Sequence, residues 1–270
     1  MSAFANHFSF EFRVGLRNRT LLLMNYLLPL GFYVLVGALM TEVNPWFRDA
    51  MIPAMVVFAI LCGTLLSLPD PLVTAREAGI FRSYKVNGVP ATSILSIPAL
   101  TTGFHTLIVA AIITATAPLL FGAPLPVDWY GFALVLALTA FACAGIGTLI
   151  GVISASSRVT VLWSQSVYLP SMIIGGLMMP SSVLPEMLRR VALLLPATYA
   201  TNGFQTIGQG VAADLDPLWS VLVLLSGGIL AFGLSIYLFN WDSRNATRRG
   251  HPALAALALL PYAVGAILLP

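Results

Sequence analysis

The chain has 270 residues; 59% are hydrophobic, only 9% are charged, the formal net charge is +3 and the mean hydropathy is +0.92. A soluble domain carries about 25% charged residues, so a deficit spread over the whole length excludes a globular protein with an anchor and indicates an integral membrane protein. The apolar runs are continuous rather than alternating, which points to an all-α polytopic membrane protein and away from a β-barrel, because lipid offers no partner to a free backbone amide.

Residues Met1 to Arg19 read as an amphipathic helix. Phe4, Ala5, Phe8, Phe12 and Leu16 share one face, and Asn6, Ser9, Arg13 and Arg17 share the other. Such a segment lies in the membrane interface with its apolar side down; an ordinary basic flank of the first span is the plainer alternative. Leu21 to Met40 is the first span, of the length a bilayer requires, with Pro29 and Gly31 placed to kink it. A short loop follows, in which Trp46 is an interfacial anchor. Ile52 to Leu68 is the second span, and its L-P-D-P-L end is predicted to break the helix near Asp70.

Next comes the longest polar interruption in the front half, Arg76 to Pro90, which reads R-E-A-G-I-F-R-S-Y-K-V-N-G-V-P. It holds the chain's only lysine, Lys85, beside Arg76, Arg82 and Glu77. It reads as a loop with a short helix that touches another protein, or more plainly as a solvated hairpin between two spans.

Thr92 to Phe121 is a long third span, closed by a tight turn at Gly122 to Asp128. Trp129 to Ile153 is the fourth span and Val161 to Met179 the fifth. Pro180 to Pro217 is only partly polar and contains two short helices, one with Pro185 in its first turn and Pro196 as its stop. Neither is long enough to span, so a re-entrant or surface helical hairpin is expected. Leu218 to Trp241 is the sixth span, followed by a basic tail. Ala253 to Leu269 is apolar again and reads either as a marginal seventh span or as an interfacial hairpin, beyond a first domain of residues 1–252.

Numbering the loops alternately gives an orientation. One side collects Arg13, Arg17, Arg19, Arg76, Arg82, Lys85, Arg158, Arg244, Arg248 and Arg249; the other holds Arg48, Arg189 and Arg190. The positive-inside rule puts the first set in the cytoplasm, with the N-terminus. The Arg76–Pro90 loop is then cytoplasmic, and the Pro180–Pro217 hairpin is external.

The chain contains no G-x-x-x-x-G-K-[ST], H-E-x-x-H or G-x-S-x-G motif, and His7, His105 and His251 lack metal-ligand spacing. No catalytic residue and no metal site are therefore expected. The spans carry almost no charge, whereas ion-driven carriers keep costly ionisable groups at mid-membrane, so the driving energy is expected from outside the chain. Cys62 and Cys143 lie in apolar runs as small core residues. Gly147 and Gly151, four apart in the fourth span, signal close helix packing. The rival readings are a self-contained secondary transporter, which should show inverted repeats, a membrane-embedded enzyme, and a non-transporting scaffold subunit.

Three segments together resemble the membrane subunits of type-2 ABC exporters, the permeases related to drug, lipid and polysaccharide exporters. They are the amphipathic N-terminus with R-N-R-T before the first span, the R-E-A-G-I-F-R-S-Y loop after the second, and P-S-S-V-L-P-E-M-L-R-R-V-A-L-L-L-P-A-T-Y. The similarity covers roughly Phe4 to Arg249. It implies six spans, a second permease unit (the same or a different chain), and separate cytoplasmic ABC ATPase subunits. ATP and Mg would bind on that ATPase, and no cofactor on this chain. It further implies a multi-pass protein of the plasma or inner membrane, in contact with lipid and not with nucleic acid. By the resemblance, Glu77 and Gly79 match the motif of a coupling helix that docks on the ATPase, with Arg76, Arg82 and Lys85 as neighbours. Phe58, Leu65, Gln165, Tyr168 and Met172 are the implied path residues, on the second and fifth spans. Pro180, Pro185, Pro196 and Tyr199 mark the external hairpin that caps the path. The substrates implied are drug-like or lipid-like amphiphiles.

Overall fold

The computed structural model describes residues 3–180, 183–212, 215–242 and 250–269, and of residues 3–7, 45 and 46 the backbone only. Every regular element among them is helical. The expected roles of Phe4, Ala5 and Asn6 in the amphipathic face, of Trp46 as anchor and of Arg244, Arg248 and Arg249 in the inner charge set lie outside what is described.

Helix α1 spans Ala3–Arg17. Asn18 then opens α2, Arg19–Val43, by accepting from the Thr20 and Leu21 amides with its side chain. Helix α3 is Phe47–Glu77 and α4 is Ile80–Val86. Helix α5 is Ala91–Phe121, and α6, Trp129–Ile153, is capped by Asp128. Helix α7 is Ser157–Ile174, followed by the short α8, Glu186–Ala192, and α9, Pro196–Gly203. Helix α10 is Pro217–Leu238. A 3-10 segment, Pro252–Leu259, runs into α11, Leu260–Leu268. Among the described residues five helices are long and apolar enough to cross a membrane: α2, α3, α5, α6 and α10. Helix α7 has 18 residues but is more polar, and it ends at Ile174 rather than Met179, because Gly175 and Gly176 (φ 86°) turn the chain.

Two prolines expected to disturb helices do not break them. Proline lacks an N–H, and its ring collides with the carbonyl four residues back. In both places a wider π-turn precedes the proline: Leu23–Leu27 before Pro29, and Cys62–Ser67 before Pro69. The Leu28 amide reaches back five residues to the Leu23 carbonyl, and the Leu68 amide likewise to Gly63. Each turn holds the residue four before its proline, Asn25 and Leu65, and so shifts the carbonyl that would clash. The L-P-D-P-L segment therefore continues α3 to Glu77, and the break expected near Asp70 does not occur.

Helix α3 is the axis of the fold. Its apolar window is 94% buried, against 28–56% for the other four long helices. A helix apolar on all sides belongs in the interior. Met51, Met55, Phe58, Leu61 and Leu65 are enclosed by α2, α5, α6 and the hairpin. Helix α6 comes against it through the predicted glycines: a Cβ at Gly147 would overlap the Thr64 carbonyl oxygen, and one at Gly151 would stand 3.0 Å from that of Pro69. Helix α1 rests on α5. Phe12 stacks on His105 at 4.6 Å and meets Phe104 edge-on at 5.6 Å, while Gly15 lies against His105. The packed edge of α1 is thus Phe8, Phe12 and Gly15, and Leu16, expected on the same face, is exposed. His105 is hydrogen-bonded, with its Nδ1 2.7 Å from the Tyr26 hydroxyl.

Candidate functional site

The polar loop after α3 is a rigid knob. Glu77 ends α3, and Gly79, at φ 75°, makes the left-handed turn that only glycine adopts without strain. That turn folds α4 back across the ends of the bundle. Its one buried residue is Phe81, which packs with Leu72 of α3, Ile94 and Leu95 of α5, Val152 of α6 and Phe239 beyond α10. Phe81 and Phe239 have ring centroids 5.5 Å apart. Arg82 pairs with Asp242 at 2.8 Å, a second tie to the end of α10. Burial, aided by the charge of Glu11, pushes the Tyr84 phenol up.

Arg76 is not on this surface. It is 7% exposed and turns inward, donating to the carbonyls of Gly151, Val152 (2.7 Å) and Ser154. Those carbonyls end α6, where the last turn has no intrahelical donors and carries the negative end of the helix dipole. A guanidinium satisfies both needs, so Arg76 fastens the last turn of α3 to the corner between α6 and α7. The surface itself consists of Glu77, Ile80, Arg82, Ser83, Lys85, Val86 and Asn87, all exposed. Two of these are apolar: Ile80 is 44% and Val86 87% exposed. They were not singled out in the sequence, although an isoleucine and a valine within an otherwise charged loop are the available signal.

The segment after α7 joins an exposed helix, α8, in which only Ala192 is buried, to an enclosed one, α9. Pro180 ends the irregular stretch 175–180, and Pro185 is the N-cap of α8. Pro196 does not merely stop a helix; it is the first residue of α9, where its missing N–H costs nothing. All eight residues of α9 are buried, and Tyr199 is fully enclosed. Asn202 pins the following loop by donating to Leu215 O and Ser220 Oγ and accepting from Leu215 N. Thr201 donates to Gly175 O, and Gln209 to Asp49 O. Beneath these ties lies a cavity of about 620 Å³, bordered by Asp49, Arg189, Gln205 and Gln209.

The path candidates divide. Phe58, Leu65 and Tyr168 lie inside the chain's own core. Phe58 stacks on Phe32 at 4.3 Å and stands 6.2 Å from Tyr168, whose hydroxyl is 3.9 Å from Cys62 Sγ. Gln165 and Met172 are half-buried at the margin of an uncovered α7 face made by Leu162, Ser166, Leu169 and Ile173. Among the described residues no group of three or more His, Cys, Asp or Glu could hold a metal ion.

The family model described as ABC-2 type transporter matches residues 5–207. The chain belongs to the ABC-2 type transporter family. A protein of Bacillus subtilis (strain 168) named as a transport permease, YvfS, is 23% identical over 239 residues, covering 84% of this chain and 93% of that protein. No solved structure matches the chain. The ABC-2 match takes in α1, the knob and the hairpin as far as the π-turn after α9, and stops before α10 and the C-terminal apolar segment.

Proposed function

We propose that the chain is the permease subunit of an ATP-driven exporter of amphiphilic molecules, drug-like or lipid-like, and that the knob docks on a separate cytoplasmic ABC ATPase. The observation that carries this reading is the combination at the knob of an exposed outer face, Glu77, Ile80, Lys85 and Val86, with a rigid root. A push on α4 reaches α5, α6 and α10 through Phe81 and Arg82, and the α6–α7 corner through Arg76. Such a lever converts a local contact into a rigid-body tilt of helices. Each rim charge steers and orients the partner.

The path lies between two permease units. The uncovered face of α7 lines it, with Ser166, Gln165 and Met172 as its polar and adaptable groups. Phe58, Leu65 and Tyr168 form the wall behind that face. The hairpin, with its buried α9 and Tyr199, closes the outer end. No covalent step falls to this chain; ATP and Mg act on the partner.

The reading is tested by ATP-dependent movement of a fluorescent amphiphile into inside-out vesicles that contain the chain and its ATPase. Glu77→Arg is expected to leave the permease folded and to abolish transport, because it reverses a charge at the contact. Wild-type transport by that variant would refute the docking role, and no ATP-dependent movement by the wild type would favour a scaffold.

A further inference from the structure

We infer that residues 250–269 form a seventh membrane crossing, antiparallel to α10, that straps the hairpin in place; Gly250 and Leu269 then lie on opposite faces of the membrane.

Length is the first argument. Seventeen residues as an α-helix would reach only about 25 Å, short of a hydrocarbon core about 30 Å thick. Here the first eight residues, Pro252–Leu259, are 3-10 helix, and the next nine, Leu260–Leu268, are α-helix. At roughly 2.0 Å per residue for the first and 1.5 Å for the second, the segment covers about 30 Å. The tighter helix supplies the missing reach.

Its neighbours climb α10 step by step. Gly250 lies against Tyr237 and Leu238, at the last turn of α10. Ala258 packs with Ala231 and with Leu149 of α6. Tyr262 covers Gly227. Ala266 and Leu269 reach the cluster that contains Leu193, Tyr199 and Leu215, at the hairpin. One end of the segment is therefore beside the knob's end of α10 and the other beside the hairpin.

Its surface chemistry agrees. An interfacial helix needs a charged or polar face, and from Pro252 to Leu269 no residue is charged. Leu254, Leu257, Leu259, Leu260, Val264 and Ile267 point outward, and the polar Tyr262 is the residue turned in. This outer face suits lipid and not water.

The strap grips through two tyrosine–glycine contacts. A Cβ at Gly265 would overlap the Tyr199 hydroxyl of α9, and one at Gly227 would stand 2.5 Å from that of Tyr262. The two rings are 6.0 Å apart, and neither hydroxyl has a hydrogen-bond partner, so close packing alone holds them. The strap lies beyond the residues that the family model matches.

Sidedness can be read in the full chain, because both native cysteines are fully buried and out of reach of a membrane-impermeant maleimide. Four single additions are compared in intact and permeabilised cells: Asn87→Cys at the knob, Val127→Cys in the α5–α6 loop, His251→Cys, and a polar linker ending in cysteine after residue 270. His251→Cys is expected to label together with Asn87→Cys, and the linker cysteine together with Val127→Cys. If the linker cysteine labels together with Asn87→Cys, the segment does not cross and the inference falls. The grip is tested separately by melting in detergent. Gly265→Leu is expected to lower the melting temperature and the double variant Gly265→Leu, Tyr199→Ala to lose less than the sum of the two single losses, with Gly103→Leu, which meets open space, unchanged. A Gly265→Leu protein as stable as wild type would remove the strap's role on the hairpin.

Discussion

Helix α4 of the knob and helix α9 of the hairpin are both short helices set between long ones, and they are built on opposite plans. The seven-residue α4 buries one side chain, Phe81, and leaves Val86 87% exposed. The eight-residue α9 buries every residue it has. The knob is fixed at its root, by Phe81, Arg82 and the neighbouring Arg76, while Glu77, Ile80, Lys85 and Val86 stand exposed on its outer face. In the hairpin Tyr199, Thr201 and Asn202 are all committed to the chain itself. The difference teaches what each helix is shaped for: exposed apolar groups on a braced support mark a contact surface, whereas the complete enclosure of α9 marks the structural core of a hairpin whose α8 carries its own exposed Met187, Leu188 and Val191.

Four substitutions break or sharpen that contrast, and their effects on stability fall in order. Tyr199→Ala empties a fully enclosed site and should cost ~4 kcal/mol, read as a large drop in the melting temperature of the purified protein. Phe81→Ala removes the root of the knob, half of whose surroundings can collapse, and should cost ~3 kcal/mol on the same assay. Arg76→Gln leaves the α6 carbonyls with a weaker donor and should cost about 2 kcal/mol; if it costs nothing, the fastening of α3 to α6 is not real. Arg82→Ala loses a pair in which the arginine side chain is 51% exposed, so its effect should stay under about 0.5 kcal/mol.

Much of the helical plan was legible, and the reasons for the misses are physical. The helix from Trp129 to about Ile153 was legible, because Asp128 caps it and the apolar run ends at a polar Ser154. Gly147 and Gly151 announced a close contact, though not that α3 would be the partner. The proline rule failed at Pro69, since a sequence shows the missing N–H and not the π-turn that makes room for it. Arg76 was read as a surface charge because the carbonyls it serves lie about seventy-five residues further on. The exposure of Ile80 and Val86 depends on which side of α4 Phe81 chooses, which only the packed cluster decides. The path residues on α3 were chosen by resemblance, and the core that encloses Phe58 and Leu65 could not be read from their own neighbours.

The central claim is that the free face of the knob meets an ATPase while its root belongs to the permease. It is tested most directly by purifying the tagged chain gently from its host membranes, as wild type, Val86→Asp and Glu77→Arg, and identifying what accompanies each by mass spectrometry. The account predicts an ABC-type ATPase with the wild type, and its loss from both variants at unchanged melting temperature. An ATPase that stays with both variants, or that is absent from the wild type under conditions that keep a known ABC complex together, would contradict it.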